Sequence, residues 1–140
     1  MISLKIKLDD LIEALTCSYD AFGDEGWYLD TETGNLWLNY DGVDDLPEDL
    51  HSNPRYQLID PISSHQAFLM MDDFVCSLGN TKAAKDLIDA LDRSNPFRRF
   101  KSTLLDHPGL DTTWYEFKKK AEARLAAQWC ETNDIEPEWI

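Results

Sequence analysis

Arg98 and Arg99 sit between Phe97 and Phe100, with Lys101 directly after, in the stretch NPFRRFKSTLL of a 140-residue chain whose formal net charge is -14. Guanidinium and ammonium groups this close together suit anions, since arginine offers forked donors to carboxylate or phosphate oxygens. Interleaved aromatics would add stacking on nucleic-acid bases if they were exposed. The spacing argues against that second use. Phe97, Phe100, Leu104 and Leu105 fall at helical positions i, i+3, i+7 and i+8, which turns them toward a core and leaves the basic residues outside. Trp114, Phe117, Ala121, Leu125 and Trp129 make a second such stripe, with Lys118, Lys119 and Lys120 on the remaining circumference. Arg98, Arg99, Lys101, Lys118 and Lys119 are therefore candidates for binding an anion or a protein partner. Pairing with the chain's own carboxylates is the simpler use and the favoured one.

Other chemistry finds less support. The sequence has no G-x-x-x-x-G-K-[ST], no G-x-S-x-G and no H-E-x-x-H, so phosphate-loop, hydrolase and zinc-protease readings have no motif behind them. His51, His65 and His107 occupy three unrelated settings, a proline-bounded loop, a helix start and an HPG turn. Cys17, Cys76 and Cys130 lie far apart in apolar-periodic segments and read as buried free thiols. DTETGN, residues 30–35, offers alternating oxygens and a glycine, but it lacks the downstream glutamate of a calcium loop and reads as a turn between strands. No cofactor and no metal are expected, and the balance leans against an enzyme. An acidic run containing Asp41, Asp44, Asp45, Glu48 and Asp49 is the other charged candidate, a surface for a basic partner.

Charge is distributed unevenly. Residues 93–124 hold eight Lys and Arg against four Asp and Glu, a local charge of +4, so the rest of the chain carries -18. Direct nucleic-acid binding is disfavoured by the overall balance, because phosphate neutralisation needs clustered cations. No run of apolar residues approaches the length that crosses a bilayer, and no leader pattern is visible, so a cytoplasmic protein without a membrane partner is expected. The length and the absence of a linker suit a single domain over residues 1–140.

The elements that must position these residues follow from periodicity. ISLKIKL alternates apolar and polar residues as a strand does, and Leu11, Ile12 and Leu15 open a helix over about 11–18 with Asp10 as its cap. Two aromatic-rich segments around Asp30–Gly34 make a hairpin, RYQLID a further strand. Helices follow, the first capped by Ser63 or Ser64, the next starting at Asn80, a third capped by Ser94 or Asn95 with Pro96 behind it, and a last from about 113 to 131 with Trp139 and Ile140 docking as a tail. The expected class is α+β: a small antiparallel sheet, formed by the N-terminal strand, the hairpin and one further strand, packed with about five mostly C-terminal helices.

In order, LDDLIEAL, WYLDTETGNLWL, RYQLIDP, HQAFLMMDDFVCSL, FRRFKSTLLDHP and WYEFKKKAEARLAAQW resemble uncharacterised protein family 158, a bacterial family of unknown function. The most specific pieces are Y-L-D-x-E-T-G (Tyr28 to Gly34), Asp73 to Val75, F-R-R-F-K (Phe97 to Lys101) and W-x-x-F (Trp114 to Phe117). The resemblance implies one intact domain and supplies no catalytic residues. The expected function is a non-enzymatic acidic bacterial interaction or regulatory domain with a protein partner. The alternatives are a small enzyme or ligand-binding protein with an anion pocket near Arg98, Arg99 and Lys101, and an acidic decoy for a nucleic-acid-binding partner.

Overall fold

The alternation of Ile2, Leu4 and Ile6 makes a strand in a computed structural model of the chain, which describes residues 2–16, 26–39 and 45–140. The elements run β1 (Ile2–Ile6), α1 (Leu8–Thr16), β2 (Gly26–Asp30), β3 (Leu36–Asn39), β4 (Tyr56–Ile59), α2 (Ser64–Ser77), α3 (Lys82–Leu91), α4 (Pro96–Leu105), α5 (Leu110–Thr132) and β5 (Ile135–Trp139). The class is α+β, with five helices, a three-stranded antiparallel sheet and a parallel strand pair. The chain divides into two compact units, residues 1–62 with 122–140, and residues 63–121. One of the divisions falls inside α5, where no change of composition marks it.

In the first unit the antiparallel sheet has the order β3-β2-β4, with Trp27 opposite Leu38 on one side and Ile59 on the other. The expected place of the N-terminal strand in this sheet is corrected. β1 pairs instead in parallel with β5, Ile2 opposite Ile135 and Ile6 opposite Trp139. The tail IEPEW is thus a strand: it buries Ile135 and tolerates Pro137 because a two-stranded pair leaves its outer edge free of ladder bonds. Leu4, Ile6, Leu11, Leu15, Leu29 and Ile59 form the core with Ala126 and Cys130. α1 starts at Leu8, so Asp10 lies in its first turn beside Asp9, where a carboxylate favours the helix dipole, rather than at the cap. Gly34 closes the hairpin turn at φ 82°, and a Cβ there would stand 2.2 Å from the Lys5 carbonyl oxygen.

The second unit is helical. Ser63 and Gln66 form a reciprocal capping box at α2, and Thr81, one residue after the expected Asn80, caps α3 by accepting from the Ala84 amide. Phe74 is the hub of the core, its ring centroid 6.3 Å from Phe100, 5.2 Å from Trp114 and 5.3 Å from Phe117. Phe100 and Leu104 are buried, but Phe97 is 40% and Leu105 76% exposed, which corrects the four-residue core face expected for α4. The reason is the narrow stripe that an i, i+4 pair offers: Phe100 and Leu104 fill it, and Phe97 in the first turn faces out.

Charge follows the two units. Residues 63–121 contain nine Lys and Arg against eight Asp and Glu, a net of +1, whereas residues 1–62 and 122–140 contain four against nineteen, a net of -15.

Candidate functional site

α4 carries Arg98 and Arg99, the arginines that the sequence singles out, on the side of the helix that its core residues leave free. Leu87 and Leu91 fix α3 in the core, and Phe100 and Leu104 fix α4. Between the two helices lies a groove of about 480 Å³ lined by Asp86, Asp89, Ala90 and Arg93 from α3 and its end, and by Asn95, Arg98, Arg99, Ser102 and Thr103. These positions recur at i, i+3, i+4 and i+7 on each helix, so one stripe of each forms a wall.

Within the groove the charges are unequally occupied. Arg93 pairs with Asp89 one turn back on α3, Nη2 to Oδ2 at 3.1 Å. Asp86 is held by His107, whose Nε2 lies 2.8 Å from Oδ2. Arg99 donates from Nε to the Ser94 carbonyl at 2.7 Å, which steadies its side chain without neutralising it. Arg98 has no hydrogen-bond or ion-pair partner among the described residues and is exposed. Asn95, at φ 52°, provides no side-chain cap to α4, and Pro96 has no amide hydrogen to offer.

Of the five basic candidates the structure brings together Arg98 and Arg99. Lys101, Lys118 and Lys119 are not part of the groove wall: Lys101 and Lys119 are exposed and Lys118 is half-buried. Internal pairing, the favoured use, is limited; among the described residues, Arg93 is the one Lys or Arg of residues 93–124 with an ion pair. Arg93, Asn95, Ser102 and Thr103 were not singled out as site residues, although their helical spacing from Arg98 and Arg99 places them on the same stripes. Of the acidic candidates, Asp41 and Asp44 lie outside the described residues. Asp45 and Glu48 are exposed. Asp49 serves a turn, accepting from Asn53 Nδ2 at 2.9 Å while its carbonyl takes the Asn53 amide.

A second polar constellation, not foreseen, sits in the hairpin. Asp30 is buried, and Arg55 just before β4 grips it with two hydrogen bonds of 2.8 Å, Nε to Oδ1 and Nη2 to Oδ2. A third guanidinium nitrogen meets Glu32 at 2.9 Å. Asp30 Oδ1 also accepts the amides of Glu32 and Thr33, and the Arg55 carbonyl accepts both the amide and hydroxyl of Thr31. Burial pushes the Asp30 carboxyl up, but the bonds from Arg55 and from the Glu32 and Thr33 backbone outweigh it and hold the carboxyl at about 2. The bond to Asp30 raises the Arg55 guanidinium in turn. Both Asp30 oxygens are directed at protein donors, so DTETGN is a braced turn, as its residue types suggest. Cys76, expected to be buried, is exposed on α2, whereas Cys130 is buried.

Comparison with known proteins places this pattern in a group. The profile of an uncharacterised protein family, UPF0158, matches residues 1–139. The chain belongs to that family. A UPF0158 protein of Pseudomonas aeruginosa is 34% identical over 113 residues, covering 79% of this chain and 74% of its own length. No solved structure matches the chain. The Tyr28–Gly34 segment that carries the resemblance to the family supplies Asp30 of the Asp30–Arg55 brace, while the Phe97–Lys101 segment supplies Arg98 and Arg99 of the groove wall. Among the described residues no helix is long and apolar enough to cross a membrane, and no group of three His, Cys, Asp or Glu could hold a metal ion.

Proposed function

We propose that this UPF0158 protein is a non-enzymatic interaction domain of the bacterial cytoplasm that holds an acidic segment of a partner protein in the groove between α3 and α4. The observation that carries the reading is Arg98, a guanidinium without a protein partner in a concave wall that it shares with Arg99. Exposed Phe97 and Leu105, together with Lys101, stand at i, i+4 and i+8 along α4 and form an apolar and basic strip beside that wall. A surface of this kind suits an acidic, partly apolar peptide, since charge steers encounter and apolar burial supplies affinity. An exposed free thiol at Cys76 fits a reducing compartment.

The test is capture from a bacterial lysate with the intact protein and with Arg98→Glu, at low and moderate salt. The expected result is a partner retained by the native chain, weakened by salt and lost with the variant, and an isolated acidic segment of that partner that binds the native chain and not the variant. A partner retained equally by Arg98→Glu removes the groove from the reading.

The net charge of -15 on residues 1–62 with 122–140 favours a second reading, in which that unit occupies a basic nucleic-acid-binding protein. Its sign is competition with DNA for such a protein. Glu48→Lys with Asp45→Lys should weaken that competition while Arg98→Glu leaves it intact.

A further inference from the structure

We infer that the α3–α4 groove recognises a phosphate monoester, carried as a phosphorylated side chain on the acidic segment of the partner; this rests on the interaction reading above. The argument is one of charge and donor matching within the groove. Asp89 is answered by Arg93, and Asp86 is engaged by His107. Arg98 and Arg99 are left as two guanidinium charges with no acidic partner among the described residues.

A carboxylate brings one charge and two oxygens to such a wall. A phosphate monoester brings up to about two charges and three strong acceptor oxygens, which matches two guanidinium forks. The hydroxyl of Ser102 and the amide of Asn95 line the same groove and add neutral donors. The wall begins at the first turn of α4, whose backbone amides no side chain caps and whose dipole favours negative charge. At about 480 Å³ the groove exceeds a phosphate group and leaves room for flanking peptide.

The experiment titrates the intact protein with short fluorescein-labelled peptides of one acidic host sequence, differing only in a central serine, aspartate or phosphoserine. The expected result is that the phosphoserine form binds at least about tenfold tighter than the other two, and that Arg98→Gln removes this increment. Arg98→Lys, which keeps the charge and loses the fork, should retain part of it. Arg98 is exposed, and an unchanged melting curve for each variant confirms that folding is not the cause. Equal binding of the three peptides overturns the phosphate inference while the acidic-partner reading stands. Binding of none overturns both. Binding of glycerol phosphate as tight as that of the phosphopeptide overturns the partner-borne source and assigns the groove to a free phosphorylated metabolite.

Discussion

Arg55 and Asp30 meet through two parallel hydrogen bonds of 2.8 Å, and they do so across 25 residues of chain, joining the hairpin turn to the start of β4. The Arg55 ring-stacking partner is the neighbouring Tyr56, whose centroid lies 5.5 Å from the guanidinium carbon. A buried carboxylate so held becomes a liability when its partner is removed. Arg55→Met should therefore destabilise the protein clearly, because buried Asp30 is left with only the Glu32 and Thr33 amides to hold its charge. Adding Asp30→Asn to that variant should recover part of the loss, and urea unfolding of the two singles and the double measures the coupling. A loss below about 0.5 kcal/mol for Arg55→Met would reduce the pair to an ordinary surface contact.

The same contact makes stability depend on acid. Asp30 titrates at about 2 in the folded chain against an ordinary value of 3.8. Its ionised form is the one that folding favours, so its contribution is complete above about pH 4 and is lost as pH falls toward 2. The full contribution is about 2 kcal/mol. Between pH 5 and pH 2.5 the native protein should lose about 1.5 kcal/mol more than Asp30→Asn does. Parallel acid profiles for the two proteins would contradict the assignment.

Local chemistry was legible in the sequence and distant partnership was not. The hairpin was readable because its turn is decided by adjacent residues, with Gly34 at φ 82° and Asp30 accepting from amides two and three positions on. The capping of α2 by Ser63 was readable for the same reason. Arg55 was not, because nothing in RYQLID indicates that its first residue reaches back to Asp30. Nor was the pairing of β1 with β5, where Ile2 meets Ile135 and both strands taken alone are short. In the groove, Arg98 and Arg99 were visible by residue type. Their companions were hidden because Arg93, Asn95 and Ser102 acquire meaning only once the α3 and α4 stripes face each other. Phe97 shows the limit of periodicity: it obeys the core spacing and still ends exposed.

Gly34 brings the hairpin turn against the backbone of β1, where the Lys5 carbonyl oxygen would lie 2.2 Å from any added Cβ. Gly34→Ala thus adds a backbone clash to the cost of a positive φ. A loss of at least about 2 kcal/mol is expected, larger than the loss from Gly109→Ala, whose positive φ of 78° has open space beside it. Thermal melts of both variants decide the point; equal shifts would mean that the turn retreats from β1 at no cost.

The cysteines separate by environment in a way that a thiol reagent reads directly. Cys76 is exposed on α2, whereas Cys130 is buried in the core of the first unit and burial raises its thiol to about 11. The thiolate is the reactive species, so at pH 8 only about one Cys130 in a thousand is ionised even before access is considered. In a Cys17→Ser background, a disulfide reagent should modify one thiol promptly in the folded protein and a second only after denaturant is added. Cys76→Ser in that background should abolish the prompt phase and leave the denaturant-dependent one. Two prompt thiols in the folded Cys17→Ser protein would show that the core around Cys130 opens without denaturant, and would count against the packing of α5 on Leu4, Ile6 and Leu11.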